Sequence, residues 1–377
     1  MEVAVKEPKT RLQFIDMARS IAIILMLEGH FVDTCLAMIY RRPAEFQRFS
    51  NWNYIAYDVW EYIRGFTSPM FLTLTGVVFV YLLLGKDEVP YFQNLRVKKG
   101  YKRVVELFFW GTLLQLSTFH VLQCISVGIL IILITYGIYH WIKVIPIWIY
   151  FFVLGTVFFL LYLQVNKLPE SWPTNAPEFI QNMIRAPKNR SLFPIVPSLG
   201  YTFYGAFLGS LFFHFKNQVL SYKFAAIIGG VGAILYFYPD FILNNINKYV
   251  LMGSFKKLVH IDWLYVRVGM VMMVLGILIA FNKTVGTIRQ NFFLKMGQNT
   301  LTIFIIHFII LYGSLLRLGI NDYFYHGLKP WHAALGALIF VSFFAVLINY
   351  IEEVKQRLSF ILDPIKNFWA KVYKLNS

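Results

Sequence analysis

Charge is what this sequence has least of. Only 14% of its 377 residues are charged, against about 25% in an ordinary soluble domain. Acidic residues are the scarcer sign, 19 against 35 Lys and Arg. With 58% of residues hydrophobic and 18% aromatic, the deficit excludes a water-soluble enzyme and points to a polytopic membrane protein. Cysteine is almost missing as well. Cys35 and Cys124 both fall in apolar segments, which excludes a disulfide framework and a metal-type Cys spacing. There is no internal repeat and no glycine-rich phosphate loop. No long polar stretch interrupts the apolar runs between Phe14 and Ile351, so residues 1–377 read as a single membrane domain.

What charge there is lies mostly between the apolar runs. The net charge of +16 is therefore a matter of topology and does not call for a nucleic-acid partner. Spans need about 20 mostly apolar residues, and ten stretches qualify: 14–37, 65–85, 103–118, 120–141, 144–163, 195–214, 223–241, 262–281, 296–316 and 331–351. Lys6, Lys9 and Arg11 precede the first. No small-residue cleavage site follows it, so it reads as a transmembrane helix and not as a signal peptide. The fold expected is all-α, a bundle of about ten transmembrane helices. With the N-terminus inside, the cytoplasmic segments hold 20 Lys and Arg against 13 on the other side, so both termini are expected in the cytoplasm. "RVKKGYKR" at 96–103 and the tail from Lys355 carry most of that bias. The Pro- and Asn-rich loop 164–194 then falls on the extracytoplasmic side, where a loop of this length serves as a cover over an acceptor or as a solvated connector.

Against this background, ionisable residues inside the spans stand out, because lipid cannot satisfy them and they must face the bundle interior or a water-filled cavity. Asp16, Arg19 and His30 share one face of the first helix, given an advance of about 100° per residue. Asp33, one turn past His30, is within reach of the imidazole, whereas Glu28 points the other way. His30 is the candidate general base, Asp16 and Arg19 the candidate ion pair. In "GQNTLTIFIIHFIILYG", Thr300 and His307 share a face and Asn299 lies beside it. "FTSPMFLTLTGVVFVY" brings Ser68 and other small or hydroxyl residues to what reads as a polar cavity. His120 and Gln123 sit near a span boundary, and Arg267 is a buried cation without an evident partner. Each of these residues also has a purely structural reading, as packing or as interhelical hydrogen bonding.

Five stretches in order resemble the membrane acyltransferases typified by heparan-alpha-glucosaminide N-acetyltransferase: "RLQFIDMARSIAIILMLEGHFVD", "FTSPMFLTLTGVVFVY", "RVVELFFWGTLLQLSTFHVLQCISVGILI", "SLFPIVPSLGYTFYGAFLGSLF" and "GQNTLTIFIIHFIILYG". Together they span residues 11–313. Ser20, Cys124 and Ser126 depart from that family's usual Gly, Arg and Gly, and the loop after the first helix lacks the histidine of its lysosomal members. Ten residues separate Arg19 from His30, a spacing similar to the first-helix motif of the bacterial type-three acyltransferases.

Either resemblance implies transfer of an acetyl or other acyl group from cytoplasmic acyl-CoA to a sugar, glycan or glycolipid on the far side of a membrane, with no metal. It implies catalytic work for His30, supported by Arg19 and oriented by Asp33 or Asp16. On the acetyl-CoA side it implies Arg96, Lys98, Lys99 and Arg103 at the cytoplasmic mouth, with Ser68, Asn299 and His307 as further contacts. The bacterial cytoplasmic membrane is the expected location, and a homo-oligomer is compatible with the apolar surface. The competing expectation is a transporter or proton-coupled carrier, since intramembrane Asp, Arg and His also serve proton relays.

Overall fold

The computed structural model describes residues 12–86, 89–115, 118–168, 173, 175–184, 193–250, 258–289, 291–313 and 318–357. Among these residues there is no strand, only an isolated bridge between Leu36 and Leu328. The α-helices are α1 (Gln13–Cys35), α2 (Ile55–Arg64), α3 (Thr67–Leu84), α4 (Leu95–Leu114), α5 (Val121–Ile142), α6 (Ile147–Val165), α7 (Glu178–Ile184) and α8 (Ile195–His214). They continue with α9 (Tyr222–Phe237), α10 (Pro239–Asn245), α11 (Asp262–Val285), α12 (Phe292–Gln298), α13 (Thr300–Tyr312), α14 (Ile320–Phe324), α15 (Pro330–Leu347) and α16 (Ile351–Arg357). Side-chain caps start several of them: Asn94 accepts from the N–H of Arg96, Ser221 from Phe224 and Asn291 from Leu294. Each supplies an acceptor to a donor the helix leaves unpaired.

Among the described residues, six helices are long and apolar enough to cross a membrane, or eight if each of two bent pairs is one span. This is fewer than the ten expected. The other two, α1 and α4, carry too many charges to pass on apolarity alone. α1 is nevertheless the hub of the bundle: Phe14, Ala18, Ala22 and Leu27 are fully buried, and α3, α11, α12, α13 and α15 pack on it. A charged helix is tolerated there because protein, not lipid, surrounds it. α4 begins eight residues before the expected span, so "RVKKGYKR" lies on its first turns and not in a loop.

The expected spans 223–241 and 296–316 are both broken. Pro239 opens α10 at 83° to α9, since proline has no N–H to continue the preceding helix. The axis turns by 88° at Asn299. There Asn299 Nδ2 donates to the Lys295 carbonyl at 3.0 Å, closing the C-terminal end of α12. Ser20 fixes α12 against α1: its hydroxyl accepts the Gly297 N–H at 2.9 Å and reaches the carbonyls of Asp16 and Phe293.

The tightest crossing joins α3 and α8. A Cβ on Gly76 would stand 2.0 Å from the Thr202 carbonyl oxygen, and one on Gly205 1.9 Å from that of Thr73. The two backbones touch, as small residues permit between membrane helices. Much of the 164–194 loop, including Trp172, lies outside the described residues, as do Lys6, Lys9, Arg11 and the tail beyond Arg357.

Candidate active site

A cavity of about 590 Å3 opens among α1, α3, α4, α5 and α13. Along α3 its lining runs from Thr67 to Leu82, about 22 Å at the helical rise. Arg19, Arg103 and Thr300 line one end, and His30, Ser68 and Tyr312 the other. Leu74, Val78, Leu107 and Ile125 form an apolar waist between them. α3 runs antiparallel to α1 and α13 parallel to it. Both polar ends are therefore assembled from several helices, by residues scattered through the sequence.

At the first end the ion pair expected from the spacing on α1 forms, with Arg19 Nη1 3.7 Å from Asp16 Oδ1. The other arm of Arg19 donates to Thr300 Oγ1 at 2.9 Å, and Gln298 Nε2 donates to Asp16 Oδ2 at 3.3 Å. Asp16 is buried and is not among the residues that line the cavity. Arg103 lines the cavity while pairing with Glu106 at 3.0 Å. Arg96, Lys98 and Lys99 do not line it. Both lysines are exposed, on the turn of α4 just beyond Arg103.

At the second end His30 Nδ1 lies 3.0 Å from His307 Nε2. His307 is fully buried, and its own Nδ1 faces the carbonyls of Ile303 and Phe304 one turn back on α13, short of full hydrogen-bond geometry. Carbonyls accept only, so these neighbours favour the tautomer with the proton on Nδ1, although no hydrogen bond forms there. His307 Nε2 is then the acceptor, and His30 Nδ1–H the donor. The His30 lone pair is left on Nε2, the nitrogen available to a bound molecule. His307 lies behind His30 and is not among the residues that line the cavity. Asn299 is also absent from the lining, being used to close α12.

Asp33 takes a different partner from the one its spacing suggested. Its carboxylate receives Arg64 Nη2 at 2.7 Å and Arg41 Nη1 at 3.5 Å, and Arg41 also bonds its carbonyl. Two arginines from the segment after α1 outcompete an imidazole whose Nδ1 is already engaged. Glu28 faces away as expected and accepts from Trp60 Nε1 at 2.9 Å. Among the described residues, Arg267 meets neither Asp16 nor another carboxylate. It donates to the Tyr62 carbonyl at 3.1 Å and lies over that ring at 5.1 Å.

The 36–64 segment is held by an ionic network of its own. Asp58, fully buried, accepts from Arg42 Nε at 2.6 Å and from the Phe49 N–H at 2.7 Å, while Glu61 binds Arg42 and Arg48. Glu61 and Asp58 together raise the pKa of the Arg42 guanidinium above its ordinary value.

Of the residues singled out from sequence, Arg19, His30, Ser68 and Arg103 meet in one cavity, with His307 directly behind His30. Sequence reasoning passed over Tyr312 and took His120 for a boundary residue. Yet His120 lines the cavity and is buried at 5% exposure. A usable signal was present: His120 followed by Gln123 matches the spacing of a capping box.

The catalytic-domain family model described as heparan-alpha-glucosaminide N-acetyltransferase matches residues 11–237. The match takes in α1 through α9, including Arg19, His30, Ser68, Arg103 and His120, and stops short of α13. No curated protein matches the chain at a significant level. With more than half of its length matched and a bundle of membrane-type helices around the cavity, the chain belongs to the heparan-alpha-glucosaminide N-acetyltransferase catalytic-domain family of membrane acetyltransferases.

Proposed function

We propose that this protein moves an acetyl group from cytoplasmic acetyl-CoA to a hydroxyl or amine of a sugar, glycan or glycolipid on the extracytoplasmic side. The observation that carries this reading is one cavity lined by two cations, Arg19 and Arg103, and by the imidazole of His30. The Lys and Arg excess supports cytoplasmic termini, in what we take to be the bacterial cytoplasmic membrane. Arg19 and Arg103 would then face the cytoplasm, and His30 the outer half of the bilayer.

In this reading the apolar waist receives the pantetheine arm. The volume of the whole cavity is within the usual 300–1,000 Å3 or so of ligand pockets. The nucleotide phosphates would stay outside, near Arg96, Lys98 and Lys99. His30 Nε2 accepts the proton of the attacking hydroxyl or amine. The new C–O or C–N bond forms at the thioester carbonyl carbon, the C–S bond breaks, and the coenzyme leaves as a thiolate that takes the proton from the imidazolium. Direct transfer needs no nucleophilic residue. Acetylation of His30 itself is the alternative route, and kinetics with each substrate withheld separate the two.

Two results are expected. First, acetyl-CoA at about 100 times its Kd should stabilise the purified protein by about 2.7 kcal/mol, whereas free acetate should not. Arg19→Ala and Arg103→Ala should each weaken that stabilisation. A thermal melt checks this, and absence of any shift with acetyl-CoA would favour a carrier. Second, His307→Phe should lower kcat about tenfold, the scale of one net hydrogen bond, with the Kd for acetyl-CoA unchanged. His307→Gln, which keeps an acceptor, should recover most of it. If both variants instead lose acetyl-CoA binding, His307 is a ligand contact after all.

A further inference from the structure

One imidazole in the cavity has no part in the reaction just described. His120 caps α5: its Nδ1 accepts the Leu122 N–H at 3.3 Å, while its own N–H donates to Gln123 Oε1 at 2.7 Å. With the lone pair on Nδ1, the proton of the neutral ring sits on Nε2. The ring stands edge-on to Phe304 and Phe308, with centroids 5.5 and 5.2 Å away. Phe304 in turn touches His307 at 5.0 Å. One aromatic ring thus separates His120 from the pair that orients His30, and His30 and His120 line the same cavity.

The two imidazoles have opposite polarity. Its bond to His307 leaves His30 with a lone pair on Nε2, whereas the bond from Leu122 leaves His120 with a proton there. As a cap alone, Asn or Ser would serve α5 better. What histidine adds is a second nitrogen on the far side of the ring. Thr67 and Ser68 also line the cavity, but the Thr67 hydroxyl oxygen is itself buried and a hydroxyl turns to donate or accept, while the His120 proton is fixed by its cap. α5 starts at this wall, so the positive end of its dipole reinforces the donor.

We infer that His120 is a catalytic hydrogen-bond donor whose Nε2–H binds the thioester carbonyl oxygen of acetyl-CoA, the inference resting on the acetyl-transfer reading above. As the acceptor oxygen or nitrogen adds to the carbonyl carbon and gives its proton to His30, the carbonyl electron pair moves onto oxygen. The His120 N–H stabilises that oxyanion. When the carbonyl re-forms, the C–S bond breaks, and the thiolate recovers the proton held by His30. His120 keeps its own proton throughout.

The decisive variant is His120→Asn, which retains a capping acceptor for Leu122 but has no group at the Nε2 position. The probe is acetyl-CoA labelled with 13C at the carbonyl, bound to the intact protein and observed by infrared difference spectroscopy. In the wild type the carbonyl stretch should move to lower frequency relative to free acetyl-CoA. His120→Asn should bind the probe and lose that shift, and its kcat should fall about 10²–10³-fold, the usual cost of one oxyanion donor, with an unchanged melting temperature. An identical stretch in wild type and His120→Asn overturns the inference. So does loss of the shift in Thr67→Ala or Ser68→Ala but not in His120→Asn, which assigns the donor to a hydroxyl. If the wild type gives no bound acetyl-CoA band, the acetyl-transfer reading itself falls, and the donor role with it.

Discussion

His30→Ala should reduce acetyl transfer by about 10²–10⁴-fold, the range that a positioned general base contributes, while the purified protein keeps its melting temperature and acetyl-CoA binding. The fold should survive because His30 stands at the cavity wall. Its hydrogen bond to His307 is worth about 1 kcal/mol net, and the cavity can admit water to the nitrogen left behind. His30→Gln refines the test. A glutamine amide can still donate to His307 Nε2, so it keeps the local geometry and loses only basicity. Comparable losses in both variants identify proton acceptance as the role. Wild-type turnover in either one, measured as coenzyme release with a glycan acceptor, would remove His30 from the mechanism.

The largest effect on stability should come from Gly205→Ala. A single added methyl would sit 1.9 Å from the Thr73 carbonyl oxygen, and the obstacle is backbone on another helix, not a side chain that can rotate away. Overpacking a core typically costs about 1–3 kcal/mol. Here α3 and α8 must separate along their whole crossing, so the cost should lie at or above the top of that range. Gly76→Ala meets the same wall from the other side, 2.0 Å from the Thr202 carbonyl. Both variants should yield little monodisperse protein in size-exclusion chromatography and a melting temperature lower by several degrees. Because α3 carries Thr67 and Ser68, residual folded protein should also bind acetyl-CoA poorly. Unchanged melting in both would mean that the crossing is looser than its geometry.

The apolar runs made the helical class legible, because a backbone in lipid has few other ways to satisfy its hydrogen bonds. The same signal placed Asp16, Arg19 and His30 on one face of α1, since helical periodicity is local. Partners across helices were not legible. Nothing in "LMLEGHFVD" indicates that Asp33 meets Arg64 from α2, or that the acceptor for His30 is His307, 277 residues away. The turn at Asn299 was equally hidden. "GQNTLTIF" has no proline, its short Gln-Asn-Thr run reads as the start of a span, and the break is set by how Ser20 and the Asn299 amide hold α12. His120 was misjudged for a related reason. Its position at a span boundary suggested solvent, but α13 packs Phe304 and Phe308 over it.

The apolar waist of the cavity has an electrical consequence. Moving one elementary charge across a membrane potential costs or yields about 2.3 kcal/mol per 100 mV. In the proposed reaction the group that passes Leu74, Val78, Leu107 and Ile125 is a neutral acetyl thioester, and the phosphates stay at the arginine end. The proton taken by His30 is returned to the departing thiolate within the same outer chamber. Since the chemistry carries no net charge through the waist, turnover in sealed vesicles should be insensitive to an imposed potential. The cell would then need no ion gradient to drive the transfer, only the free energy of the thioester.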